Sequence, residues 1–467
     1  MTPHFGVPIL NVIPGDKHVR PFICLTGLIA VLAIAASSPS LGQDRNVGIV
    51  RDAEIENIIR DYATPIFNAA GLDSDTVEVH LVNDSRLNAF VTGGQRVFIN
   101  TGLLVRAKGP EEVIGVIAHE AGHISGGHLA RFQEELRNAE AKSIISALAG
   151  LAAGIATGDS RVAGAIIGKG TDANLANLFK YSRVQESAAD AAALKYLDAT
   201  GMSSRGLLDF FKLLQREIRI TGGREHPYLS THPLANDRIA VVSNHLALSR
   251  FANAPTAKNL VQKHSYIRAK LIGFTEPLET TLRTYPIEQK DIPARYARAI
   301  AYYRSANLEI ALPQVDQLIA DQPDNPYFYE LKGQMLIEGG RISESLVPYE
   351  RMVELAPREP LLRLALGKAQ VESRQSEMLL PALDNLQAAV RMEPDMREAW
   401  RLLTVINGRL GNKGELALAQ AEYRFLSGDV KAAQALAERA INILPTGAPS
   451  WLRAKDILSE TKRQRNK

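Results

Sequence analysis

The stretch PEEVIGVIAHEAGHI, residues 110–124, decides how the rest of the chain is read. Pro110 suits a first helical position, and Glu111 and Glu112 suit the first turn, where the helix dipole favours acids. Val113, Ile114, Ile117, Ala118, Ala121 and Ile124 recur at helical spacing and form an apolar stripe. The spacing predicts a helix that carries HEAGH, that is His119, Glu120 and His123. Histidines at i and i+4 lie on one face a turn apart and can share a metal ion. Neutral imidazole is a good ligand for zinc. Glu120 follows the first histidine, where its carboxylate can face a water on the metal. A chance HExxH in a chain this long has a probability of order one per cent.

Composition narrows the metal chemistry. The 467 residues hold one cysteine, Cys24, so neither an intramolecular disulfide nor a cysteine-based zinc site can form. Any metal must be held by histidine and carboxylate. The net charge of +3 argues against binding nucleic acid by broad phosphate neutralisation. A catalytic zinc needs a third protein ligand and an open position. Glu186 in QESAAD is the best candidate, on a helical run beginning near Ala173. Asp190, four residues later on the same face, could accept the other ring N–H of His119 or His123. The competing reading of both carboxylates is a solvated helical face. His226 and His232 each precede a proline and are therefore loop histidines. His232 could ligate reversibly or donate to an oxyanion, and Arg238 could serve the oxyanion as a fixed cation. His128, nine residues after His119, falls on the opposite side of a continuing helix and reads as packing or capping.

Upstream, a basic flank precedes Phe22 to Ala36, 15 residues without a charge, and then SSPSLG. This run is short for a membrane span and reads as a secretory signal over 1–42, cleaved after Gly42. The competing reading is a short uncleaved anchor. Asp52 to Ala70 has helical period, and Val77 to Val82 alternates as a strand. Asn88 to Gly102 holds two β-rich runs around Gly93-Gly94, a hairpin signal. The strand Arg96, Val97, Phe98, Ile99, Asn100 closely precedes the HEAGH helix. As an exposed edge it would let an extended substrate add to the sheet. The Ala/Gly-rich segment 142–172 reads as a buried helical hairpin or, alternatively, as a lid or a peripheral membrane contact.

The last third changes character. Pro323, Pro357 and Pro394 each end an amphipathic helix and stand 34 and 37 residues apart. A 34-residue helix–turn–helix period is the signature of tetratricopeptide repeats, which stack and usually bind protein.

HEAGH, the Glu186–Asp190 pair, the GG hairpin, the STHP loop and the repeat tail together resemble the BepA-type periplasmic zinc metalloproteases, soluble relatives of the Ste-type and HtpX-type enzymes. The resemblance implies an α+β zincin-like domain, mostly helical with a small β-hairpin sheet, over 43–260, and an α-helical repeat solenoid over 261–467. It implies one Zn2+ per chain on His119, His123 and Glu186, with Glu120 as general base and Asp190 behind the ligands. His232 would sit over the site as a fourth, inhibitory ligand. Substrates would be unfolded or misassembled outer-membrane proteins in the periplasm, and the repeats would engage the outer-membrane assembly machinery. The alternative is a repeat-based periplasmic chaperone or adaptor whose protease site is silent.

Overall fold

The computed structural model describes residues 48–93, 95–128, 183–220, 228, 232 and 236–465. The apolar run before Ala36 and the 142–172 segment lie outside the described residues. Among the described residues, no helix is long and apolar enough to cross a membrane.

The chain enters through β1 (Ile49–Val50) and α1 (Ala53–Ala69). Asp52 caps α1, its side chain accepting from Ile55 N at 2.9 Å. There follow β2 (Glu78–Val82), β3 (Ala89–Thr92), β4 (Arg96–Asn100), the short α2 (Thr101–Arg106) and α3 (Pro110–Ser125). The four strands form one sheet in the order β1-β2-β4-β3. β3 and β4 make the antiparallel hairpin expected around Gly93. β4 also pairs in parallel with β2, Phe98 standing opposite His80. This corrects the expectation for Arg96, Val97, Phe98, Ile99 and Asn100. β4 is an inner strand with both edges already hydrogen-bonded, and the outer strands among the described residues are β1 and β3.

Beyond α3 come α4 (Arg183–Ala199), α5 (Arg205–Ile220) and α6 (Asn236–Leu248). α3 is buried nearly all round because glycines on it let neighbouring backbones close in. A Cβ on Gly115 would meet Leu207 N of α5 at 2.7 Å, and one on Gly122 would meet Ala189 O of α4 at 2.7 Å. Only glycine permits such approaches.

The remainder is helical: α7 (Lys258–Thr275), α8 (Leu278–Thr284), α9 (Ile292–Arg304), α10 (Leu308–Asp321), α11 (Pro326–Glu338), α12 (Ile342–Leu355), α13 (Pro360–Glu372), α14 (Leu379–Met392), α15 (Arg397–Leu410), α16 (Lys413–Leu426), α17 (Val430–Ile443) and α18 (Pro449–Arg465). Antiparallel neighbours pack in the manner of tetratricopeptide repeats. Gly333 on α11 meets the Tyr349 ring of α12. The turns after α9, α11 and α13 each need one left-handed residue, and these are Ala306, Gly340 and Arg374, with φ of 58°, 77° and 58°.

The helices around HEAGH and the first repeat helices share one hydrophobic core, which runs from Val50 through Phe274 and Tyr296 to Met335. At the seam lies a buried charge cluster. Lys270 Nζ on α7 sits 2.8 Å from Asp52 Oδ2, 3.2 Å from Glu54 Oε2 and 3.7 Å from Glu330 Oε2. Tyr296 donates to Glu54 at 2.9 Å. Nearer the surface, Arg51 reaches Glu393 at 2.6 and 2.8 Å.

Candidate metal centre

Three elements converge behind the sheet. α3 supplies His119, Glu120 and His123, α4 supplies Glu186 and Asp190, and His232 comes from the connection between α5 and α6. All six side chains are buried. Alanine and glycine at the α3–α4 contact, Ala189 and Gly122, set the helix separation, so the carboxylates of α4 reach the imidazoles of α3.

His119 Nε2 and His123 Nε2 are 3.1 Å apart. Glu186 lies 3.2 Å from His123 Nε2 and 3.6 Å from His119 Nε2. His232 Nδ1 is 3.0 Å from Glu186 Oε1 and 3.5 Å from His119 Nε2. One donor atom from each of the four lies within 4.8 Å of the others. A tetrahedral ion with ligands at about 2.0–2.1 Å leaves roughly 3.3–3.4 Å between neighbouring donors. The observed separations bracket that value, so the residues fit a divalent metal bound by nitrogen and oxygen. The chemistry and spacing of the four donors make the centre a candidate metal site.

The groups behind the donors fix their orientation. His119 Nδ1 is 2.9 Å from Asp190 Oδ1, so its N–H donates there and Nε2 is left to face the cluster. Arg238, on α6, donates to both oxygens of Asp190 at 2.6 and 2.8 Å and lies 2.6 Å from Glu186 Oε2. Its guanidinium also lies over the Phe211 ring at 4.8 Å. Arg238 therefore braces the two carboxylates. Helix α6 starts at Asn236 and carries Arg238, which is buried.

His128 is a second correction. Its Nδ1 lies 2.9 Å from His123 Nδ1. Counting turns from His119 placed it on the far side, but the helix ends at Ser125. Gly127, at φ +62°, turns the chain back toward His123. The Gly126-Gly127 pair was the available signal. With His123 Nε2 facing the cluster, Nδ1–H donates to His128. Tyr228 was also missed; its ring lies 4.7 Å from that of His232 and packs on Phe210. No spacing rule relates it to HEAGH. His226 lies outside the described residues.

Burial and charge set the titration of the centre. Burial works to raise Glu186, but His232, His119 and His123 hold it well below the usual carboxylate range. Burial would lower His119, yet Asp190 and Glu186 bring it up to about 9. Glu120 is pushed up by burial, against the pull of His232 and His119. Neither of its oxygens has a hydrogen-bond partner among the described residues, and Oε1 lies 3.5 Å from His232 Nε2. A buried, uncommitted carboxyl of raised pKa is suited to accept a proton near neutrality.

The chain resembles known proteins along much of its length. Residues 50–246 match the model for Peptidase family M48. A beta-barrel assembly-enhancing protease of Yersinia pestis is 24% identical over 357 residues, covering 75% of this chain and 71% of the relative. A putative protein of that name from Vibrio cholerae is 25% identical over 399 residues, covering 82% and 79%. Metalloprotease YcaL of Escherichia coli is 29% identical over 171 residues, 36% of this chain and 61% of that one.

Proposed function

Taking as premise that residues 50–246 are an M48 metallopeptidase domain in a chain built like the beta-barrel assembly-enhancing proteases, we propose that the protein is a periplasmic zinc endopeptidase that removes misassembled outer-membrane proteins. The observation that carries this reading is the set of four buried donors at tetrahedral spacing beside the uncommitted carboxyl of Glu120. A donor set of three imidazoles and a carboxylate suits zinc.

His119, His123 and Glu186 would hold the ion, which would supply polarisation of the scissile carbonyl and a lowered pKa for the attacking water. Glu120 would take the proton from that water and deliver it to the leaving amine. Asp190 keeps His119 in the tautomer that presents Nε2, and Arg238 keeps Asp190 and Glu186 ionised and in place. An extended substrate would pair with β3, the outer strand beside β4, so main-chain hydrogen bonds rather than side chains would hold it. That gives the sequence tolerance a quality-control protease needs.

His232 offers a fourth donor to the same cluster and would occupy the position a catalytic zinc needs open. The arrangement supports a resting form in which His232 must withdraw before substrate enters. The repeats would present partners of the outer-membrane assembly machinery. Export through a cleaved signal over 1–42 and the division near residue 260 belong to the same reading. A repeat-based chaperone with a silent site is the second reading, and the intact donor set and the free carboxyl of Glu120 argue against it.

Glu120→Gln should retain stoichiometric zinc by elemental analysis and lose casein cleavage by at least about 100-fold. A variant with full cleavage would sink the assigned chemistry. A wild type that binds zinc but cleaves nothing, even with His232→Ala, would favour the chaperone reading.

A further inference from the structure

The turns after α9, α11 and α13 repeat at a spacing of 34 residues, and each demands a left-handed residue, Ala306, Gly340 and Arg374. The later turns use Gly411 and Gly428. Glycine takes this conformation without strain, whereas any residue with a Cβ resists it. Ala306 adds only a methyl group. Arg374 puts a long cation there, against the local preference, and no contact in the fold explains it. Among the described residues its guanidinium makes no hydrogen bond or ion pair, and the residue is exposed. A strained residue without a structural partner is where a ligand contact is to be sought.

Arg374 borders a groove of about 750 Å³ formed by the start of α12, the end of α13 and one face of α15. Arg341, Arg401 and Arg409 line it too, against the carboxylates Glu344 and Glu372. The excess of positive charge is local, since the whole chain carries only +3. Glu344 holds Arg341 through two hydrogen bonds of 2.8 and 2.5 Å, and Glu398 holds Arg401 through two of 2.7 Å. Arg409 reaches back to Val371 O at 3.2 Å, which ties α15 to the preceding hairpin. Three guanidiniums are thus fixed in position, and Arg374 stands uncommitted beside them. Leu402 and Val405 supply apolar wall between the charges.

We propose that this groove binds an acidic, extended polypeptide segment of a partner, with Arg374 as its main specificity contact. A guanidinium fork donates two hydrogen bonds to one carboxylate; those of Arg341 and Arg401 already serve Glu344 and Glu398, so Arg374, with Arg409 beside it, is the fork open to a ligand, and the apolar wall takes the side chains between the acids. A nucleic acid or an anionic membrane would call for a broad basic surface, which a chain of +3 does not offer. The inference is independent of the peptidase reading, because it concerns binding alone.

The test uses the full chain carrying Glu120→Gln, so that no probe is cleaved. A fluorescein-labelled ten-residue peptide of alternating Glu and Leu is titrated by anisotropy, beside a peptide with Gln for Glu. The acidic peptide should bind at least tenfold more tightly. Arg374→Gly should weaken it at least tenfold while leaving the melting temperature equal to or above that of the parent, since glycine relieves the turn. Arg401→Gln should weaken it as well. Equal binding of the two peptides, or a Kd for Arg374→Gly within twofold of the parent, overturns the proposal. So does full displacement of the peptide by millimolar inorganic phosphate, which would make the groove a general anion site.

Discussion

Replacing Lys270 with methionine tests whether the seam between peptidase and repeats is held by charge. The ammonium has no exposed surface, and three carboxylates stand within 3.7 Å of it. Methionine fills the volume but leaves Asp52, Glu54 and Glu330 facing one another. Removing one partner of a buried ion cluster costs about 3–5 kcal/mol. At about 2–4 °C per kcal/mol for a unit of this size, the melting temperature should fall by about 10 °C. The loss should depend on pH. Burial holds Glu54 and Glu330 above the ordinary carboxylate range, and Lys270 opposes it. Without Lys270 both rise further. A carboxyl whose folded pKa exceeds its unfolded one contributes stability that is full below the unfolded value and is lost as pH rises through the folded value. The deficit of Lys270→Met should therefore be smaller near pH 5 than near pH 8. Adding Asp52→Asn and Glu54→Gln should recover much of it, since asparagine still caps α1. Differential scanning calorimetry at both pH values is the assay. A drop under about 2 °C at pH 8, or a deficit that grows on acidification, would refute the reasoning.

Three further outcomes follow from single contacts. His128→Ala removes the partner of His123 Nδ1 and should weaken metal binding about 10–100-fold by chelator competition, with the far-UV spectrum unchanged; unaltered affinity would show that the 2.9 Å contact does not orient the ligand. Gly122→Ala drives a methyl group against Ala189 O and displaces α4 with Glu186 and Asp190, so kcat/KM should fall about 100-fold while the protein stays folded; retained activity would contradict the tight packing. His264, which donates from Nε2 to Ala107 O, is pulled down to about 4 by burial. The unfolded chain takes up that proton first as pH falls, so stability is full above about pH 6.5 and declines toward pH 4, by about 3 kcal/mol at most. His264→Gln keeps a donor and should flatten this part of the urea-midpoint profile; an identical profile would locate the acid sensitivity elsewhere.

Local spacing carried the chemistry in this chain. HEAGH on a helix, a carboxylate pair at i and i+4, and a 34-residue proline period are short-range patterns, and short-range patterns survive in sequence because helix geometry is the same everywhere. What lay at long range did not. β4 was read as an edge because a hairpin pairs neighbours, whereas its parallel pairing with β2 comes from a crossover that no local rule announces. His128 was misplaced because the turn count ran past the Gly126-Gly127 break.

The sequence by itself determined that any metal must be bound by histidine and carboxylate, that two imidazoles share a helix face, and that the tail is a repeat array. Only the tertiary structure decided which 71-residue jump joins His119 to Asp190, that His232 stands 3.0 Å from Glu186, and that Arg238 braces carboxylates. It alone showed Lys270 to be the hub of a buried cluster and Arg374 to be a strained, uncommitted cation. The reason is physical. Donor distances depend on how closely α3 and α4 approach, and that is set by the absence of a side chain at Gly122 facing Ala189, a contact between residues far apart in the chain.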